Sequence, residues 1–183
     1  MNGLQTGSVI AAVRTDEEFE CALGKDISVV FDLNPDLITI SKKVKKAHDA
    51  GKKLFVHMDL AAGIGKDKSG VVFAKHIGVD GIISTRVNII KIARELGVFT
   101  VQRFFIVDSH SIETTIDALK ASKADMIEVM PGIVYKVIDN LHSRVDVPII
   151  AGGLIQTAEE IRNALSHGAT AVSTGNEKLW EGN

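Results

Sequence analysis

The chain has 183 residues, 45% hydrophobic and 24% charged, which supplies one large core and excludes a disordered or low-complexity chain. With 23 acidic residues against 21 basic, its formal charge is −2, so it is no globally basic nucleic-acid binder, and such a partner requires a local patch. Cys21 is the one cysteine, which excludes an internal disulfide and suits a reducing compartment. No apolar run reaches the roughly 18 residues of a membrane span, and the first residues lack a basic segment followed by an apolar one. A cytoplasmic protein without a membrane partner is expected.

In chain order, the first β-branched run is a strand over 8–13. Thr15 and Glu18 then form a capping box that opens a helix, inside which Cys21 packs among Phe19, Ala22 and Leu23. A strand over 27–33 precedes Asn34-Pro35, read as the start of a second helix. Leu37, Ile40, Val44 and Ala47 form the apolar stripe of that helix, and Lys42, Lys43, Lys45 and Lys46 lie mostly off it. Strands follow over 53–59, 81–85 and 99–105. A helix carrying Ile112, Ile116 and Leu119 leads to a strand over 126–130, and another strand covers 148–151. Thr157 and Glu160 make a second capping box before the stripe Ile161, Ala164, Leu165, and the last strand is 171–174. Gly51, Gly97 and His167-Gly168 mark helix stops.

Eight strands at intervals of 18 to 28 residues, with a helix in nearly every interval, predict a small (β/α)8 TIM-type barrel occupying 1–183 as one domain. Most strands are continuous apolar runs, as expected of strands buried on both faces. The chain is short for this fold, and only 12 residues follow the start of the last strand, so a five- or six-stranded open sheet is the alternative.

A barrel carries its function at the C-terminal ends of its strands. Here nearly every such end holds a polar residue or a glycine after an apolar stretch. Side-chain alternation, with the apolar residues assigned to the helix side, points Asp32, His57, Asp59, Ser84, Arg86, Gln102 and Glu128 at the barrel axis. Groups of this kind need partners or a polar ligand, so Asp32, His57, Asp59, Arg86, Gln102 and Glu128 are the expected ligand-binding set. Gly152 and Gly153 after the seventh strand, with Ser173, Thr174 and Gly175 after the eighth, sit where many barrels hold a phosphate through backbone amides. His57-Met58-Asp59 also has the form of a metal-binding pair, although no second histidine stands at a strand end. No lysine ends a strand, which disfavours Schiff-base chemistry. Neither a catalytic residue, a metal site nor a cofactor is assigned. The lysine cluster over 42–53 is a solvated helix face or, in the functional reading, a phosphate-backbone contact.

The same stretches resemble a known family. The matching segments are 56–60, beginning Val56-His57-Met58-Asp59, and 84–91, beginning Ser84-Thr85-Arg86. They continue through 100–109, around Gln102-Arg103, and 127–132, around Glu128. The last two are 149–155, around Ala151-Gly152-Gly153, and 171–180, around Ser173-Thr174-Gly175-Asn176. In these the chain is similar to the glycerol uptake operon antiterminator regulatory proteins. The resemblance implies a small barrel that binds glycerol 3-phosphate and acts on the leader mRNA of glycerol-utilisation operons, preventing premature transcription termination. It implies a regulator rather than an enzyme; of the charge runs in the sequence, Lys42, Lys43, Lys45 and Lys46 are the candidate RNA contact, and oligomeric state stays open. The alternative is an epimerase or isomerase acting on a small sugar phosphate, with His57 and the acids as its acid–base groups.

Overall fold

The structure, a computed structural model, describes residue 4 and residues 6–181. Eight parallel strands close into a barrel in chain order: β1 (Ser8–Val13), β2 (Val29–Asp32), β3 (Lys53–His57), β4 (Gly81–Ser84), β5 (Phe99–Phe105), β6 (Met126–Met130), β7 (Ile149–Gly152) and β8 (Ala171–Thr174). Closure is made by β1 against β8, with Ser8 opposite Ala171 and Ala11 opposite Thr174. Among the described residues seven helices surround it: α1 (Asp16–Leu23), α2 (Ile40–Asp49), α3 (Lys68–His76), α4 (Val87–Glu95), α5 (Ser109–Ser122), α6 (Tyr135–His142) and α7 (Ala158–Ser166). A 3-10 turn, Glu177–Leu179, stands where an eighth helix would follow. The (β/α)8 reading therefore holds and the open sheet does not. The expected domain limits at 1 and 183 lie outside the described residues. No helix among the described residues is long and apolar enough to cross a membrane.

Both capping boxes form: Thr15 accepts from the Glu18 amide and Thr157 from the Glu160 amide, with each glutamate reaching back to the cap. Asn34-Pro35, in contrast, does not open α2. That helix begins at Ile40, because residues 34–39 are held as a loop against the β3–α3 connection by Leu37 N to Ala62 O (2.9 Å) and Ala62 N to Pro35 O (2.8 Å). Leu37 is consequently exposed instead of lying in the stripe.

Apolar side chains fill two layers. Inside the barrel lie Ile10, Phe31, Phe55, Ile83, Val101 and Ile150. Phe31 and Phe55 stack at 5.5 Å between ring centroids. Gly81 makes room for that pair, since a Cβ there would sit 2.6 Å from the Phe55 ring. Between strands and helices lie Val30, Leu54, Val56, Ile82, Ile127 and Val172 with the inner faces of the helices. Two carboxylates seal the N-terminal end. Asp80 accepts from the Leu54 amide (2.9 Å) and meets His48 Nε2 at 2.8 Å. Asp125 accepts from the Thr100 amide (2.9 Å) and hydroxyl (2.7 Å) and from Arg94. With the bottom tied by helix-to-strand contacts, the open end is the C-terminal one.

Candidate ligand site at the barrel mouth

Alternation along each strand decides which side chain reaches the axis at the mouth. Phe55, Val101, Met126 and Ala171 face inward, so His57, Arg103, Glu128 and Ser173, two residues on, do as well. Arg103 Nε donates to Glu128 Oε2 at 2.5 Å, and Ser173 Oγ donates to Glu128 Oε1 at 2.6 Å. All three are buried, so the ion pair is shielded from water and each carboxylate oxygen has a charged or hydroxyl donor. Gly152 permits this arrangement: a Cβ there would lie 2.5 Å from Glu128 Oε1 and 2.6 Å from Ser173 Oγ. His57 is buried in the same layer, and its Nδ1 has no hydrogen-bond partner among the described residues. Burial, reinforced by the positive charge of Arg103, pushes the imidazole down to about 4 against the opposing pull of Asp59 and Glu128. The ring is neutral at pH 7 and keeps hydrogen-bonding capacity in reserve.

Above this layer opens a cavity of about 270 Å³, lined among others by Arg14, Arg103, Met130, Gly153, Gln156 and Gly175. Two connections form its wall. After β7 the chain turns through Gly153 (φ 75°) and Leu154 (φ 61°), a left-handed pair that a Cβ at 153 would strain and crowd against Met130 Cε, 2.7 Å away. After β8, Thr174 Oγ1 donates to Ile155 O (2.8 Å) and accepts from the Asn176 amide, while Asn176 Nδ2 donates to Gln156 O (2.9 Å). Trp180 Nε1 donates to Thr174 O (2.8 Å), which fixes the second loop from behind. The amides of Gly153 and Gly175 enter no hydrogen bond among the described residues. Glu128 offsets Arg103, whereas the Arg14 guanidinium has no ion-pair partner among the described residues. A cavity with one uncompensated guanidinium and free glycine amides favours a small anion.

The family model described as glycerol-3-phosphate responsive antiterminator matches residues 9–180. The chain belongs to that family. It is 37% identical over 178 residues to an uncharacterized protein, YgcP, of Escherichia coli K12, covering 97% of this chain and 93% of that one. Its fold superposes on a glycerol uptake operon antiterminator regulatory protein from Listeria monocytogenes with a TM-score of 0.91 at 34% identity, covering 96% of each chain. A glycerol uptake operon antiterminator-related protein from Thermotoga maritima gives 0.85 at 33% identity, over 96% of this chain and 98% of that one. The family is one of transcription regulators, not of enzymes.

Against this antiterminator barrel the expected site residues divide. His57 and Glu128 face the axis, and Gly152, Gly153, Ser173, Thr174 and Gly175 surround or underlie the cavity. Asp32 does not reach the mouth. Val29 and Phe31 line the interior, so Asp32 points to the helices and accepts from Lys43 Nζ at 3.2 Å. A strand buried on both faces has apolar residues on both sides, and apolarity therefore could not mark its outer face. Gln102 is displaced for the same reason: its Oε1 accepts from Ser122 Oγ of α5 at 2.5 Å. Ser84 is likewise out of the interior, since Gly81 and Ile83 take the inward positions. Asp59 is not on β3 at all, because the strand ends at His57 and passes into a 3-10 turn, Met58–Leu60. There it accepts from Ser84 Oγ (2.6 Å) and Thr85 N (2.7 Å), bonds that outweigh burial and hold its carboxyl below the ordinary range. Arg86, half exposed, lies 3.7 Å from Asp59 and stands past the end of β4, as the residue before α4.

The lysine cluster is mostly committed. Lys43 is buried between Asp32 and Asp16, Lys45 pairs with Asp49, and Lys46 with Glu20. Of the four, Lys42 alone has no ion pair among the described residues. Two functional candidates stand outside the expected ligand-binding set. Arg103 is the inward residue at the end of β5, which anchoring the alternation on an inward Val101 would have revealed. Arg14 is the first residue after β1, a strand end like the others.

Proposed function

We propose that this chain binds glycerol 3-phosphate in the 270 Å³ cavity and, so loaded, acts on the leader mRNA of glycerol-utilisation operons to prevent premature termination. The observation that carries the ligand half is the pairing of Arg14, a cation without an ion-pair partner among the described residues, with the amides of Gly153 and Gly175 on one wall of a cavity sized for a small phosphate ester. The phosphate takes that wall, Ser173 and Thr174 holding it in shape. The glycerol hydroxyls turn inward to His57 Nδ1, which is buried and unpartnered, and to Glu128. Binding favours the RNA-competent state through its differential affinity for that state.

Scanning calorimetry with glycerol 3-phosphate, glycerol and inorganic phosphate tests the first half. At about 100 times its dissociation constant the ligand adds roughly 2.7 kcal/mol, a midpoint rise on the order of 5–10 °C for a chain of this size. Glycerol alone produces none. Filter binding to a leader transcript, with and without ligand, tests the second half. No thermal shift at millimolar glycerol 3-phosphate refutes the ligand assignment, and RNA affinity indifferent to the ligand refutes the response.

A further inference from the structure

We infer that the RNA-contacting surface is the part of the mouth rim carried by the connections after β2 to β6, an arc of unpaired lysines and exposed apolar side chains beside the ligand cavity; this rests on the RNA reading above. Among the described residues seven of the eight exposed large hydrophobic side chains lie at or just after strand ends, Val72 of α3 being the exception; Leu37 follows β2, and Leu154 follows β7 in the cavity wall. Leu60 follows β3, Phe105 and Val107 end and follow β5, Val134 follows β6, and Ile38 follows β2. Val107 is 85% exposed, Ile38 84% and Phe105 58%. Phe105 is the one exposed aromatic among the described residues, and an exposed ring beside cations is what an unpaired base stacks on.

Charge separates this arc from the rest of the rim. On the side of α1, α7 and the 3-10 turn after β8, six carboxylates (Asp16, Glu17, Glu18, Glu159, Glu160, Glu177) face two cations, Arg14 and Lys178. A polyanion is repelled there while a single small phosphate still reaches the cavity. On the proposed arc, Lys66, Lys68 and Lys136 are exposed and enter no ion pair among the described residues, and Arg86 adds a fourth cation. The aspartates of that arc are as numerous, but each is turned onto a backbone amide. Asp36 accepts from Ile38 N, Asp59 from Thr85 N, Asp67 from Gly70 N and Asp108 from Ser111 N. The arc is therefore balanced in charge and carries exposed unpaired lysines, whereas the α1 and α7 side is acidic on balance.

A larger groove of about 580 Å³ at the opposite end also carries cations, but among the described residues all of them except Lys123 are held in ion pairs. Arg94 pairs with Asp125, Lys120 with Asp117 and Arg144 with Glu113, and they stand at the ends of α4, α5 and α6, where the helix dipole itself attracts positive charge.

The test measures leader-transcript affinity with saturating glycerol 3-phosphate, at several salt concentrations, for the full chain and two variants. The variants are K66Q/K68Q/K136Q and F105S/V107S, and neither touches the cavity. The lysine variant is expected to lose at least tenfold in affinity and to flatten the log–log salt slope by about 0.7 per lost contact. The second is expected to lose at least tenfold with an unchanged slope. Both keep the ligand-induced thermal shift, which verifies the fold. Wild-type affinity with both variants within twofold of it overturns the arc alone. No wild-type affinity overturns the RNA reading and the arc with it. A wild-type dimer by light scattering that F105S/V107S dissolves without loss of RNA affinity assigns the apolar residues to a second copy and overturns the proposal.

Discussion

Acidification makes a sharp demand on His57. Its imidazole is held at about 4 in the folded barrel and titrates near its ordinary 6.5 when the chain is unfolded. Above pH 6.5 both states carry the neutral ring and the group contributes no pH dependence. Between about pH 6.5 and 4 the unfolded chain binds a proton that the folded one refuses, so stability falls as pH falls; below about 4 both are protonated and the loss is complete. At about 1.4 kcal/mol per unit, the difference sets a ceiling of roughly 3 kcal/mol, of which about 2.5 kcal/mol is lost between pH 7 and 4.5. The steepest part is about 1.2 kcal/mol per pH unit, near pH 5. Carboxylates such as Asp59 titrate at the lower end of the same range, so the measurement is a difference. Urea unfolding is followed from pH 7 to 4.5 for the wild type and for His57→Asn, which cannot gain the proton. The variant begins less stable because the smaller side chain leaves a void, but its stability declines more shallowly, and the two curves converge by about 2.5 kcal/mol. Parallel curves would refute a buried, uncharged His57 beside Arg103.

Other outcomes follow from the same layer. Glu128→Gln leaves Arg103 charged and buried without its counter-ion, and urea denaturation should register a loss on the order of 3–5 kcal/mol; a loss under about 1 kcal/mol means that the pair is solvated. Gly153→Val places a β-branched residue at φ 75° with its Cβ against Met130, costing about 1–2 kcal/mol in backbone strain, and it should remove the thermal shift produced by glycerol 3-phosphate. A folded variant with an undiminished shift moves the phosphate off this wall.

The alternation of apolar runs with capped helices was sufficient to specify the barrel. Thr15 and Thr157 announced α1 and α7, and β1, β5, β6 and β8 lie where their β-branched runs place them, because these signals act over a few residues and need no partner elsewhere in the chain. The glycines after β7 and β8 were legible for the same reason: a left-handed turn and a close approach are written in single residues. The inward set was only half legible. His57 and Glu128 were found, whereas Asp32 and Gln102 are outward, in contact with Lys43 of α2 and Ser122 of α5. Alternation fixes which residues share a face, but which face is the interior depends on the neighbouring strands and the helix packed outside. Where both faces are apolar, only closure of the barrel decides it. The lysines of α2 read as a patch until folding brought Asp16, Glu20 and Asp32 to Lys43 and Lys46, and Arg14 became a candidate ligand only when β1 closed against β8 and set it beside Gly175. These ion pairs and the cavity join residues distant in the chain, so they are decided by tertiary structure alone.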